Sequence, residues 1–283
     1  MIKRVLVTGA EGFIGQHLVT ELEHQGMDIV QHTLNDGDLV DCKLSYTGID
    51  HVFHLGALTS VPRSWESPQS YYNVNVMGTE NVLEYCRIEK CSMTFMSTYV
   101  YGHPQYLPID ENHPISPNSP YNHSKYLAEM LCRFYNEVFG VCVTVLRPFN
   151  IYGIGQASNF LVPELLSQLL DPKCDNIHLK SLYPKRDYVY IDDVISALIC
   201  TLYRETGYSV YNIGSGKSVS VKDLADIAMK CSGIIKPLIS AEIERKNEVT
   251  DICASTEKAQ KELGWSAQTG LTEGLSRMIA LWK

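Results

Sequence analysis

The chain has 283 residues, a formal net charge of −8, 45% hydrophobic residues and 20% charged residues. That is an ordinary globular composition, long enough for one large or two ordinary domains around a well-filled core. The acidic balance excludes the basic face of a nucleic-acid binder, and no stretch approaches the roughly 18 apolar residues of a membrane-spanning helix. The nine cysteines form no Cys-x-x-Cys pair and fit reduced thiols rather than a disulfide framework or a zinc ribbon. No secretory leader is expected ahead of Arg4, so the expected location is cytoplasmic.

Residues 4–7 form a short apolar run suited to a buried parallel strand. Thr8-Gly-Ala-Glu-Gly-Phe-Ile-Gly15 follows, and a helix is predicted over 13–25, with Ile14, Leu18 and Leu22 at four-residue spacing and Gly26 as its stop. Residues 28–32 predict a second strand, 38–41 a short third, and 51–55, 92–96 and 141–146 three more. Long helices are predicted over 68–86 and 121–139. Strands alternating with helices predict an α/β protein with a Rossmann-like doubly wound parallel sheet, whose ligands lie at the carboxyl ends of the strands. Beyond Pro148 the pattern loosens into short helices over 161–170, 191–203, 221–231, 255–263 and 271–282. The expected organisation is a sheet domain over 1–155 and a smaller C-terminal subdomain over 156–283, part of it returning to the sheet.

Gly9, Gly12 and Gly15 stand where a strand turns into a helix. There they allow a tight turn, a close backbone approach by a pyrophosphate, and close helix–strand packing. Backbone N–H groups and the helix dipole then favour the phosphates, so NAD or NADP is the expected cofactor. A carboxylate at the end of the second strand would hold the ribose hydroxyls of NAD. That place is Thr33, neither acid nor arginine, which leaves NAD and NADP open.

Tyr121-Asn-His-Ser-Lys125 puts a phenol and an ammonium on one helix face. A nearby ammonium favours the phenolate, which makes Tyr121 a usable general acid or base near neutral pH. Lys125 can also reach ribose hydroxyls. His51 and His54 alternate on a strand with no second ligand cluster, so no metal is expected. Gly216-Lys-Ser218 looks like the end of a P-loop, but Tyr211 stands where the earlier glycine belongs.

With these motifs in order, the chain resembles the extended short-chain dehydrogenases/reductases, in the nucleotide-sugar epimerase, dehydratase and reductase branch. The likeness rests on the glycine loop with Phe13 and Ile14, and on His54-Leu-Gly-Ala57, Val74-Asn-Val-Met-Gly-Thr79, Ser97-Thr-Tyr-Val-Tyr-Gly102, Arg147-Pro-Phe-Asn-Ile-Tyr-Gly153 and Arg186-Asp-Tyr-Val-Tyr-Ile-Asp-Asp193. Asn212-Ile-Gly-Ser-Gly216 and Leu263-Gly-Trp265 extend it to the C-terminal part. The resemblance implies a catalytic set of Tyr121, Lys125 and either Ser97 or Thr98. It implies a cofactor groove along Gly9, Gly12, Phe13, Ile14, Gly15, Thr33, Asp38, Leu39, Leu55, Gly56, Ala57, Asn75 and Pro148. It also implies a nucleoside-diphosphate sugar held by Asn150, Arg186, Tyr188 and Arg245, with Arg63, Tyr99 and Phe160 near the sugar.

The family's 4,6-dehydratases carry Asp-Glu after the catalytic hydroxyl, and no carboxylate follows Ser97 here. The implied reaction is hydride transfer at C4 of the sugar. A 4-keto-6-deoxy sugar reductase is favoured over a 4-epimerase by Thr33 and by the short stretch between the second strand and His51. A catalytically idle NAD(P)-binding regulator is the reading from another class. Paired helices near 74–85 and 121–135 would make a homodimer.

Overall fold

The computed structural model describes residues 3–203, 207–241 and 249–282. The first unit is β1 (Arg4–Thr8), α1 (Phe13–His24) and β2 (Asp28–His32), with β2 parallel to β1. Next, β3 (His51–His54) pairs with the other side of β1. A helical run follows as α2 (Val61–Glu66), α3 (Pro68–Tyr72), a π-turn over Asn73–Met77, and α4 (Gly78–Glu89). The chain continues through β4 (Ser92–Met96), α5 (Pro120–Phe139), β5 (Val143–Pro148), β6 (Asn150–Tyr152), α6 (Leu161–Leu170), β7 (Ile177–Leu179) and β8 (Lys185–Tyr190). It ends with α7 (Ile191–Thr201), β9 (Tyr208–Ile213), β10 (Ser218–Ser220), α8 (Val221–Ser232), β11 (Leu238–Ser240), α9 (Glu257–Leu263) and α10 (Leu271–Ala280).

The central sheet is parallel throughout, in the order β2-β1-β3-β4-β5-β9. Its inner strands β1, β4 and β5 are mostly apolar and buried because both faces are covered. Val5 and Val7 join one core with Leu18 and Leu22 of α1 and Val194 and Leu198 of α7. Leu6 points the other way, into a core with Leu83 of α4 and Ala128 and Cys132 of α5. This is the doubly wound α/β fold expected. Among the described residues no helix is long and apolar enough to cross a membrane.

The short third strand is not formed. Residues 38–41 make a turn, in which the Asp38 carboxylate accepts from Val40 N at 3.0 Å and the Asp38 carbonyl accepts from Cys42 N at 2.8 Å. Asn81 on α4 donates to the carbonyls of Leu39 and Val40 at 2.8 and 2.9 Å. The aspartate therefore offers the backbone a local alternative, and the carbonyls a neighbouring strand would need are already taken. β2 ends as an edge of the sheet.

Residues beyond 155 do two things. β9 pairs with β5 in the central sheet, and α7 packs on α1. The remainder adds β8 and β10 to β6, which lies ahead of residue 155, in a three-stranded sheet of order β10-β8-β6, and forms the parallel pair β11-β7. The core on the α1 face runs on into this part through Tyr152, Leu165, Leu224 and Leu275.

Candidate active site

The glycine loop has no room for side chains. Gly9 has φ +69°, and a Cβ added there would lie 2.8 Å from Gly56 Cα. A Cβ on Gly15 would meet the Gly9 carbonyl oxygen at 2.2 Å. β1, α1 and the segment after β3 thus approach backbone to backbone. α1 starts at Gly12 with no side-chain cap, so its first N–H groups and positive dipole end face whatever occupies the loop. These residues fit a pyrophosphate. Leu39 stays near the groove, since a Cβ on Gly56 would lie 2.8 Å from its Cδ1.

The end of β2 holds more acid than the sequence suggested. Thr33 caps a short 3-10 turn, and the Asp36 carboxylate folds back to accept from Thr33 N at 2.9 Å and Thr33 Oγ1 at 2.8 Å. Those bonds hold the Asp36 carboxyl below the usual carboxylate range. Glu11, inside the glycine loop, accepts from Leu34 N at 3.4 Å. Two carboxylates therefore stand at the tip of β2. The signal was legible as a capping box, Thr33-x-x-Asp36.

A one-way chain of hydrogen bonds crosses beneath the groove. Gly56 N donates to Thr8 Oγ1 at 3.2 Å, and Thr8 Oγ1 meets His54 Nδ1 at 2.8 Å. His54 Nε2 meets Thr79 Oγ1 at 2.9 Å, and Thr79 donates to the Asn75 carbonyl at 2.7 Å. Thr79 spends its hydrogen on Asn75, so it must accept from His54 Nε2–H, and Nδ1 must accept from Thr8. Burial lowers His54 to about 3, so the ring is neutral. The Asn75 side chain ties Leu58 N at 2.8 Å and Ser124 Oγ at 2.9 Å, joining the segment after β3 to the helix carrying Tyr121.

α5 is well specified at both ends. Ser119 caps it, accepting from Asn122 N at 3.2 Å, Pro120 occupies its first turn, and Gly140 closes it at φ +73°. Tyr121 lies in the first turn and Lys125 one turn on. The Thr98 side chain is the neighbour that favours the charged form of the Tyr121 hydroxyl, and the Tyr121 ring meets Tyr71 edge-on at 6.4 Å. Burial pushes Tyr121 up to about 12, partly offset by Thr98. The Lys125 ammonium, 3% exposed, lies 4.1 Å above the Phe95 ring. Burial lowers it to about 7, with Cys132 and Glu129 partly restoring it. The expected lowering of the tyrosine by the lysine is not found: burial sets Tyr121, and Thr98 rather than Lys125 opposes it. Of the two neighbouring hydroxyls, Thr98 faces Tyr121, whereas Ser97 donates to the buried carboxylate of Glu129.

On the other side of this cluster, Tyr99 stacks at a tilt on Phe149, ring centroids 5.5 Å apart, and its carbonyl accepts from Asn122 Nδ2 at 3.1 Å. Tyr188 on β8 is buried, and its hydroxyl has no hydrogen-bond partner among the described residues. Burial raises that hydroxyl, and the Arg186 charge partly offsets the rise. Arg186 donates to the Val249 carbonyl at 2.7 Å, while Asn150 Nδ2 donates to the Asp187 carbonyl at 3.3 Å. Arg63 on α2 and Phe160 ahead of α6 are exposed, and Pro148 is buried at the end of β5. Arg245 lies outside the described residues. Tyr121 and Tyr188 both feel Tyr99, and Tyr188 also feels the Arg186 charge, so these groups share one electrostatic environment.

A parallel sheet with this glycine loop, and a Tyr-x-x-x-Lys helix facing it, define a short-chain dehydrogenase/reductase of the extended type. The profile of the GDP-mannose 4,6-dehydratase family matches residues 23–278. Over 97% of both chains, the protein is 34% identical to a Methanocaldococcus jannaschii protein provisionally named a UDP-glucose 4-epimerase. Two solved structures are similar to it. One is RMD from Pseudomonas aeruginosa complexed with NADPH, at TM-score 0.90 and 26% identity over 98% of each chain. The other is MoeE5 in complex with UDP-glucuronic acid and NAD, at TM-score 0.88 and 32% identity over 98% of each chain. The chain belongs to the GDP-mannose 4,6-dehydratase family, within the nucleotide-sugar epimerase and dehydratase branch of the extended short-chain dehydrogenases/reductases, and is an enzyme of that branch.

Proposed function

We propose that the protein is an NAD-dependent 4-epimerase of a nucleoside-diphosphate sugar. The observation that carries this reading is the Tyr121–Thr98 hydroxyl pair, one helical turn from buried Lys125, on a 97–101 segment without any carboxylate. Such a site can move a proton at one sugar hydroxyl. It has no acid and base pair there for eliminating water, although the family takes its name from a dehydratase. When bound, NAD supplies the acceptor that takes a hydride from the sugar carbon and returns it. Thr98 holds the reacting oxygen, Tyr121 removes and returns its proton, and Lys125 favours the phenolate while Tyr121 is deprotonated. Gly9 to Gly15 hold the pyrophosphate of the dinucleotide. Glu11 and Asp36 meet the ribose end, where they would repel a 2′-phosphate, so NAD is preferred over NADP.

The nucleotide sugar lies across the part beyond residue 155, its diphosphate on Arg186 and Asn150, with Tyr99 and Tyr188 beside the sugar. A guanidinium fork suits a diphosphate. A homodimer through α5 and the π-turn ahead of α4 is supported by the half-exposed apolar side chains Met130, Phe134 and Val138 on α5 and Met77 on that turn. A second reading, the 4-keto sugar reductase, is favoured by the missing third strand and by the likeness to the NADPH complex of RMD.

One experiment separates these readings. The purified protein is analysed for retained dinucleotide, then offered UDP-hexoses, and separately an NDP-4-keto-6-deoxyhexose with NADPH or NADH. Retained NAD and isomerisation at C4 support the epimerase. Stoichiometric consumption of reduced cofactor overturns it in favour of the reductase. Tyr121→Phe abolishes turnover while keeping dinucleotide binding, and unchanged turnover in that variant refutes the assigned chemistry.

A further inference from the structure

Below the proposed catalytic groups lies an ion pair that the chemistry does not use. Glu129 on α5 and Arg147 on β5 are 1% and 3% exposed. Arg147 Nε donates to Oε1 at 3.0 Å and Oε2 at 3.2 Å, and Nη2 donates to Oε2 at 2.5 Å. Ser97, at the end of β4, donates to Oε1. Arg147 Nη1 donates to the Tyr101 hydroxyl at 2.9 Å, which donates to Asn212 Oδ1 at 2.6 Å. Asn212 Nδ2 in turn donates to the Ile109 carbonyl at 2.9 Å. One network therefore joins α5, the ends of β4 and β5, and β9.

Stability is a weak reason for such a network, because well-packed apolar side chains of similar volume often do as well or better. What it does supply is a fixed geometry. Ser97 and Thr98 are adjacent, and they serve opposite partners: Ser97 donates to Glu129, and Thr98 acts on Tyr121. Glu129 sits one helical turn past Lys125 and two past Tyr121 on the same helix. A single carboxylate thus ties the strand end bearing one hydroxyl to the helix bearing the other.

We infer that Glu129 is a positioning residue, which locks the end of β4 to α5 through Ser97 so that the Thr98 and Tyr121 hydroxyls meet. The inference rests on the assignment of Tyr121 and Lys125 made above. The same carboxylate supports the Lys125 charge against burial. The other groups around Lys125 are Cys132 on α5, His54 on β3 and the Phe95 ring on β4. Around Glu129 stand Arg147, Ser97, Lys125, Cys132, Tyr101 and Tyr208.

The test compares Ser97→Ala, Glu129→Gln and Tyr121→Phe in the full chain with bound dinucleotide. Ser97→Ala keeps the ion pair and cuts only the tether. It is expected to lower kcat about 10-fold or more with KM within about threefold, the pattern of a misplaced catalytic group. Glu129→Gln is expected to lower kcat likewise, and to move the alkaline fall of kcat/KM down by about one pH unit, as Lys125 loses an opposite charge. Ser97→Ala with wild-type kcat overturns the inference, as does a folded Glu129→Gln with an unmoved pH profile. Should Glu129→Gln not fold, Ser97→Ala decides alone. Tyr121→Phe tells the two failures apart. If it stays active, the underlying assignment is wrong; if it is inactive beside a fully active Ser97→Ala, only the positioning role is.

Discussion

Gly15→Ala is the smallest change that tests the dinucleotide cradle. The new Cβ would lie 2.2 Å from the Gly9 carbonyl oxygen and 2.8 Å from the Ala10 backbone. Ordinary contact there is about 3.4 Å, so the loop and the start of α1 must separate by about 1 Å. Neither partner is a flexible side-chain end. The Gly9 carbonyl also accepts from Gly12 N at 3.0 Å, a bond that this displacement strains. Overpacking of this kind costs about 1–3 kcal/mol, and a lost backbone hydrogen bond about 1 kcal/mol more. The same displacement moves the helix N-terminus away from the phosphates, and NAD affinity is expected to fall about 10- to 100-fold. Gly26→Ala is the control. It introduces left-handed strain at φ +70°, which Gly15 does not have, with nothing within 4 Å of the new Cβ. It should lose stability and keep the affinity. NADH fluorescence titration gives the affinities and a thermal melt the stabilities. A folded Gly15→Ala protein that binds NADH like the wild type refutes the cradle.

Other outcomes follow from burial and exposure. Lys125 titrates near 10.5 in the unfolded chain and about 7 when folded. Between those values the unfolded state binds more protons, so this group makes stability rise with pH across that window, by up to about 1.4 kcal/mol per unit. In urea melts of dinucleotide-free protein at pH 7 and 9, Lys125→Met should remove that rise. A variant with the wild-type slope contradicts the burial argument. Phe134→Glu, on the half-exposed apolar face of α5, should yield monomers by light scattering with the fold intact; an unchanged mass removes this face as the dimer contact. Asp36→Ala should narrow the preference for NADH over NADPH in binding titrations, whereas an unchanged ratio places the discrimination elsewhere.

The strand–turn–helix order and the Tyr121–Lys125 pair were legible because periodicity and spacing encode them directly. The run 51–54 is apolar enough to read as a buried strand despite two histidines, and it is one. What the sequence hid depended on competition between neighbours. Asp38-Leu-Val-Asp41 carries strand-like residues at its centre, yet Asp38 and Asn81 capture its backbone groups first. Ser97 and Thr98 are indistinguishable by type. Only the buried carboxylate of Glu129, 32 residues away, decides which hydroxyl is left for Tyr121. Asp36 lies three residues past the strand end where a ribose-binding acid belongs, and only the capping turn, itself written as Thr33-x-x-Asp36, brings it back.

The chain of donors through His54 has a direction, and direction makes a joint rigid. Every hydrogen between Gly56 and Asn75 is already assigned, so the imidazole is fixed in one tautomer and cannot turn over without reversing both threonines. A second proton on the ring would point at a hydroxyl whose own hydrogen already points back. The histidine is thus a strut among β1, β3 and α4 rather than a titrating group, and it holds the floor of the cofactor groove in one shape across the physiological pH range. In strong acid, this strut becomes a wedge: charging the ring drives Thr8 away, and the seam between the glycine loop and the segment after β3 is loosened from within.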